Sequence, residues 1–199
     1  MIAFLSGEVF KVNTDSIYLD YAGMGFQVYM STRDLSEMTK GDEVFVYTYL
    51  QVKEDGMTLF GFLSEVDLEL FKKLISVSGV GPKIGLSCLS VYTVSDINFA
   101  ILSDDDKTLS KVPGLGAKTA KKIILELKDK IEVEEAVEID NSVSTEVSST
   151  AKNDAVLALT ALGYSSSDTL KAISKVPDAK ELSTEELIKE ALKVLSFGL

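Results

Sequence analysis

Leu74-Ile-Ser-Val-Ser-Gly79-Val-Gly81-Pro-Lys83 is answered 35 residues later by Leu109-Ser-Lys-Val-Pro-Gly114-Leu-Gly116-Ala-Lys118. Each copy runs an apolar helical stretch into a Gly-apolar-Gly turn, then opens a second helix with a lysine two positions on. Glycine lets the backbone turn sharply without a Cβ clash. The helix start that follows leaves its first N–H groups unpaired. Such a turn is a ready anion site, and the lysine adds a point charge for phosphate.

A lone Gly-x-Gly is only a tight turn. Two at one interval, each between helices and each with a lysine at the same offset, read as a tandem of helix-hairpin-helix units. Such a tandem can hold two phosphates of one nucleic-acid backbone, through main-chain N–H groups that fix position without reading bases. Composition agrees, because the chain has one arginine, Arg33, against 19 lysines. Arginine is the bidentate reader of guanine, whereas lysine meets phosphate as a charge. The expectation is sequence-independent binding with strong salt dependence.

A net charge of −11 argues against a polyanionic ligand until it is divided along the chain. Residues 1–63 carry 4 basic and 9 acidic side chains, residues 64–130 carry 10 and 9, and residues 131–199 carry 6 and 13. Half of the basic side chains therefore lie in the segment with the two glycine turns. A locally basic face binds polyanions where it points, while the acidic remainder suppresses other adhesion.

Residues 1–63 read as about five short strands, suited to a small OB-type barrel. Phe45, Tyr47 and Tyr49 alternate with Val44, Val46 and Thr48 and read as barrel filling, with base stacking as the functional alternative. Lys53-Glu54-Asp55-Gly56 is a hairpin turn. Residues 64–130 read as helices, with Ser64 and Asp67 forming a capping-box-like start and Pro82 in a first turn. Ala120, Ile123, Ile124, Leu127 and Ile131 make one apolar face, leaving Lys118, Lys121, Lys122 and Lys128 on the other. Residues 131–152 read as a linker. Residues 153–199 read as a three-helix unit, with Gly163 as a C-cap and Ser183-Thr-Glu-Glu186 as a capping box. A unit this small on a tether suits protein docking.

With no histidine, the usual zinc sites and histidine-based triads are unavailable. The one cysteine, Cys88, lies in an apolar run and reads as a small core hydrophobe. No membrane span or signal peptide is expected, so the chain reads as soluble and cytoplasmic. Two other functions stay open. Glycosylases and nucleases also use helix-hairpin-helix units, but need a catalytic lysine, a spaced aspartate or a metal-binding carboxylate cluster. Asp104-Asp105-Asp106, after Ser103, is the one acidic cluster nearby and reads as a helix N-terminus. A general single-strand binder using the barrel is the other alternative.

Taken together these features resemble the RuvA family, the Holliday-junction-binding subunits of bacterial branch-migration complexes. The resemblance rests on Met1-Ile2 with Leu5 and Gly7, and on Val52-Lys-Glu54-Asp55 ahead of Leu59-Phe-Gly-Phe62. It continues through Leu70-Phe-Lys-Lys-Leu-Ile75, both glycine turns and Ala161-Leu-Gly-Tyr164, so it spans nearly the whole chain. It implies an α+β multidomain protein: an OB-type β-barrel, a tandem helix-hairpin-helix domain and a small three-helix, UBA-like module.

The function so implied is non-catalytic and needs no cofactor or metal. One or two homotetramers would hold four-way junction DNA flat and open. Gly79, Val80, Gly81 and Lys83, with Gly114, Leu115, Gly116, Lys118, Thr119 and Lys122, would grip the backbone across a minor groove. Glu54 and Asp55 would stand on four central pins that guide strand separation. Leu159, Leu162, Tyr164 and Leu192 would dock a hexameric RuvB-type ATPase, and a junction resolvase is a further implied partner. The setting would be DNA recombination and repair in the SOS response. Ala117 stands where relatives often carry lysine, and Lys121-Lys122 where glutamate and arginine are frequent, so the charge is redistributed.

Overall fold

The computed structural model of the chain describes residues 1–131, 147–164, 166–177, 179 and 182–196. They fall into two compact units, residues 1–91 with 112–114, and residues 92–111 with 115 onward.

In the first unit, strands β1 (Phe4–Val12), β2 (Ser16–Tyr21), β3 (Met24–Tyr29), β4 (Glu43–Lys53) and β5 (Gly56–Phe62) close a barrel in the order β1-β2-β3-β5-β4. Every pairing is antiparallel except the short β3–β5 contact at Val28–Leu59 and Tyr29–Phe60. Leu5, Val9, Ile17, Leu19, Val28 and Val46 alternate inward to form the core. The barrel is tight at Gly61, where a Cβ would lie 2.4 Å from Val28 Cγ1 and 2.6 Å from Val46 Cγ1.

Five strands agree with the sequence, but their filling differs. Val46 and Thr48 of β4 are buried, whereas Phe45 is exposed and Tyr47 and Tyr49 only half-buried. The β4 aromatics therefore coat the barrel instead of filling it, because period-2 alternation gives the interior to the smaller set. Tyr49 is covered edge-on by Phe71 of the following helix, with ring centroids 5.5 Å apart.

Helix α1 (Thr32–Ser36), capped by Ser31, closes one end of the barrel core with Leu35 and Met38. Helix α2 (Glu65–Ser76) starts at Ser64, whose Oγ accepts the Val66 N–H at 3.1 Å. Asp67 does not complete a capping box. Its carboxylate accepts from Arg33 Nη2 at 3.1 Å, and Asp34 lies 3.8 Å from Arg33 Nε. Burial, and then the neighbouring Asp67, push the Asp34 carboxyl up to about 6. Helix α3 (Pro82–Val91) completes the unit together with the loop Val112–Gly114, where the Pro113 carbonyl accepts from Ser87 Oγ at 3.1 Å. Cys88 is fully buried in α3, and burial pushes its thiol up to about 12, which suits an inert core residue.

The second unit holds α4 (Val94–Leu102), α5 (Asp106–Leu109) and α6 (Ala117–Leu127), then a 3-10 turn at Lys128–Lys130. It also holds α7 (Val147–Ala161), α8 (Ser166–Ser174) and α9 (Thr184–Ser196). The last three pack as a bundle on Ala155, Val156, Leu159, Leu170, Ile173 and Leu187. Gly163, at φ +94°, ends α7, and the Ser183–Glu186 capping box is closed by the Ser183 N–H and Oγ on Glu186 Oε2 at 3.1 and 2.8 Å. Helix α7 begins at Val147, inside the stretch read as linker, while residues 132–146 of that stretch lie outside the described residues.

Candidate nucleic-acid interface

The two glycine turns match in burial as closely as in sequence. Leu74 and Leu109, Val77 and Val112, and Val80 and Leu115 are all buried, while Gly79, Gly81, Lys83 and their counterparts Gly114, Gly116 and Lys118 are exposed. The apolar residue between the glycines anchors each turn, so Val80 and Leu115 offer a ligand no side chain, and the Val80 N–H is already donated to the Val77 carbonyl at 2.9 Å. Gly79 and Gly114 sit at φ +96° and +85°, a left-handed conformation that favours glycine.

Gly81 and Gly116 are a different case. Neither has a positive φ, and a Cβ on either would meet nothing within 4 Å. Within the chain an alanine would fit both. The bare backbone at these two positions leaves space for something outside the chain to come close.

The helix starts carry the same message. The Gly81 carbonyl accepts the Ile84 and Gly85 N–H groups at 2.9 and 3.0 Å, and that of Gly116 accepts those of Thr119 and Ala120, both at 2.9 Å. The N–H groups of Gly81, Lys83, Gly116, Ala117 and Lys118 make no hydrogen bond among the described residues. The Thr119 amide is taken, so only its side chain and exposed surface remain. Helices α1, α2, α4 and α5 are each closed by a serine, threonine or aspartate side chain and carry an acid in the first turn. Helices α3 and α6 have no acid there, and Gly116 supplies no side-chain cap. Their positive ends are left open to an external anion.

Lys83 and Lys118 are exposed and make no ion pair among the described residues, as do Lys107 and Lys111, which the sequence reading passed over. Lys111 has no carboxylate three or four positions away, while Asp104, three positions before Lys107, is paired with Lys128. Lys122 lies 3.7 Å from Glu126, and Lys121 lies 3.9 Å from Asp106. Lys128 is held by Asp104 at 2.7 Å. The acidic cluster is spent on structure: Asp105 caps α5, accepting the Thr108 N–H at 3.0 Å. Among the described residues no group of three or more potential ligands could hold a metal ion.

Glu54 and Asp55 form the two-residue tip of the β4–β5 hairpin, both exposed, beyond the last ladder pair Lys53–Gly56. Strand β1 pairs with β4 only as far as Tyr47, and β3 touches β5 only at Leu59 and Phe60. The tip is thus a two-stranded projection, with Val52 and Met57 exposed opposite each other at its shoulders. Sequence reasoning missed those shoulders, although a two-residue turn fixes them as partners.

Of the docking candidates, Leu162 and Tyr164 are exposed after the end of α7, and Leu192 is half-buried on α9. Leu159 is fully buried in the bundle. It serves the core and is withdrawn from the docking set, because a bundle this small cannot spare a fully buried leucine.

Three family models match along the chain: the RuvA N terminal domain over residues 1–61, the SAM-like helix-hairpin-helix tandem over 71–129 and the RuvA C-terminal domain over 150–196. The chain is 43% identical to the Holliday junction branch migration complex subunit RuvA of Lachnospira eligens, covering 98% of this chain and 99% of the relative. Its identity to the subunit of the same name is 43% in Alkaliphilus oremlandii and 41% in Thermoanaerobacter sp., with the same coverage. With barrel, paired glycine turns and C-terminal bundle all matched in order and at full length, the chain belongs to the RuvA family.

Proposed function

We propose that this chain binds four-way DNA junctions as a non-catalytic subunit of a branch-migration complex; its relatives are named Holliday junction branch migration complex subunits, which supports the reading without stating it. The observation that carries the reading is the pair of uncapped helix starts. Alone among α1 to α6, helices α3 and α6 follow a glycine that neither conformation nor space requires, and neither puts an acid in its first turn. Among the described residues each start presents free amides beside a lysine with no ion pair, Lys83 or Lys118. Phosphate is the ligand such a cradle suits, and its grip is indifferent to base identity.

Four copies around one crossover would bring four acidic tips together. Glu54 and Asp55 would repel phosphates there and keep exchanging strands apart. Leu162, Tyr164 and Leu192 would dock a hexameric ATPase of the RuvB type, which would supply the work of migration. Asp104 and Asp105 are engaged with Lys128 and Thr108, which favours a structural role for this acidic cluster over strand cleavage.

Competition binding tests the reading. A labelled four-way junction should hold the protein against equal lengths of linear duplex and of single strand, with affinity falling steeply as salt rises. Equal competition by single strands would favour the barrel as the main contact. Cleavage of the junction in Mg²⁺ would overturn the non-catalytic assignment.

A further inference from the structure

The β4–β5 projection carries a second pair of residues that its carboxylates do not explain. Val52 and Met57 stand opposite each other directly behind the Lys53–Gly56 pair that closes the tip, and they are 67% and 74% exposed. Nearer the barrel, Leu50 and Leu59 form the next pair on the same face, because side chains repeat every second residue along a strand. Leu59 lies in the barrel core and Leu50 packs against it. The apolar row of the core therefore runs on past the rim of the barrel and ends in water. Gln51, Thr58 and Lys53 keep the opposite face polar.

The fold does not need this row to continue. A cross-strand apolar pair does support its own hairpin. With two-thirds or more of each residue in solvent, that mutual contact uses only the smaller part of the surface. Polar side chains already serve a ladder pair of the same ribbon, at Gln51 and Thr58.

The tip limits what can cover the row. Glu54 and Asp55 each lie two positions from one shoulder and repel phosphate. The part of a nucleotide that can approach is then the uncharged base, whose faces are apolar. Methionine is among the side chains that act as wedges between bases, and its unbranched thioether adapts to any of them. Valine offers no hydrogen bond and a thioether only a weak acceptor, so the contact would be indifferent to base identity.

We propose that the Val52–Met57 pair is an apolar wedge that covers nucleobases unpaired at the crossover. The inference rests on the reading of the acidic tip above and divides the labour on the projection. The carboxylates hold backbones apart, and the shoulders shelter the bases so released.

Fluorescence of 2-aminopurine placed beside the exchange point of an immobile four-way junction tests it, since emission rises when that base leaves its stack. The full chain is compared with Val52→Thr/Met57→Gln, which keeps side-chain size and removes apolar surface, and with Met57→Leu, which retains it. Both shoulders are exposed, and far-UV circular dichroism checks that each variant is folded. Protein is saturating, so every junction is bound. The expected result is a rise of about threefold with wild type and with Met57→Leu, and less than about half of that rise with the double variant, the scale of one lost wedge contact. A rise that the double variant shares in full overturns this inference alone and leaves the tip its charge role. A bound junction with no rise in wild type overturns the strand-parting role of the tip as well. A double variant whose native mass without DNA differs in copy number from wild type would show that the shoulders meet another copy of the chain, and overturns the base contact.

Discussion

The barrel and the helical tandem treat negative charge in opposite ways. In residues 1–63 the conspicuous carboxylates point outward and meet one another: Glu54 beside Asp55 at a projecting tip, Glu8 between Asp20 and Glu43 on the wall. In the tandem, the helices after the glycine turns shed both cap and acid and leave free amides beside unpaired lysines. On the proposed function one region would repel phosphate and the other receive it, within a chain whose total charge of −11 suggests only repulsion. Where charge is displayed outweighs how much of it there is.

The comparison breaks most cleanly at the two glycines whose bareness the fold does not need. Gly81→Val with Gly116→Val should lower junction affinity about 100-fold or more, about 2.7 kcal/mol. Chemical unfolding should change by only about 1 kcal/mol, the scale of a poorer cap residue. An unfolding loss as large as the binding loss would show that these glycines serve the fold. Next in size are the cations. Lys83→Gln with Lys118→Gln should weaken binding about tenfold on any sequence and reduce the slope of log affinity against log salt by about 2, read from gel shifts over a salt series.

Two further effects belong to the acidic half. Asp34 has its carboxyl raised to about 6, so the fold holds a proton that the unfolded chain has already released. Its contribution is full below the unfolded value near 3.9 and is lost as pH rises through 6. Asp34→Asn should therefore gain stability relative to wild type as pH rises from about 4 to about 6 and keep that gain at higher pH, on the order of 1–3 kcal/mol in urea unfolding. A pH-independent difference would remove Asp34 as the cause. The smallest change is at the tip. Glu54→Gln with Asp55→Asn should keep junction binding or tighten it about threefold while altering migration by the complete complex, the scale of an exposed charge contact. Weaker binding by this variant would show that the tip does not repel.

What was legible followed from backbone chemistry. The 35-residue echo placed both turns and both lysines, because the repeat carries its flanking helices with it and the first glycine of each copy takes the same left-handed conformation. Gly163 and Ser183–Glu186 were legible for the same reason, since a cap is a local contract between near neighbours. Side-chain destinations set by distant contacts were not. Asp67 sits where a capping box would have it, yet it turns to Arg33, which is 34 positions away. Phe45 and Tyr47 look like filling until closure of the barrel hands the interior to Val46 and Thr48. Leu159 and Leu162 are alike in composition, and only the packing of α7 on its neighbours sends one inward and leaves the other out. The free amides of α3 and α6 fall between the two cases: their glycines can be read from the sequence, but their emptiness cannot.

Arg33 has one more consequence. The chain's sole guanidinium donates from Nη2 to Asp67, with Asp34 near its Nε, so the one arginine that could read a guanine edge is already tied to carboxylates. A duplex drawn past such a surface would meet an even succession of sugars and phosphates, with no preferred stopping place. Blindness to the genetic text would then be what keeps the track smooth.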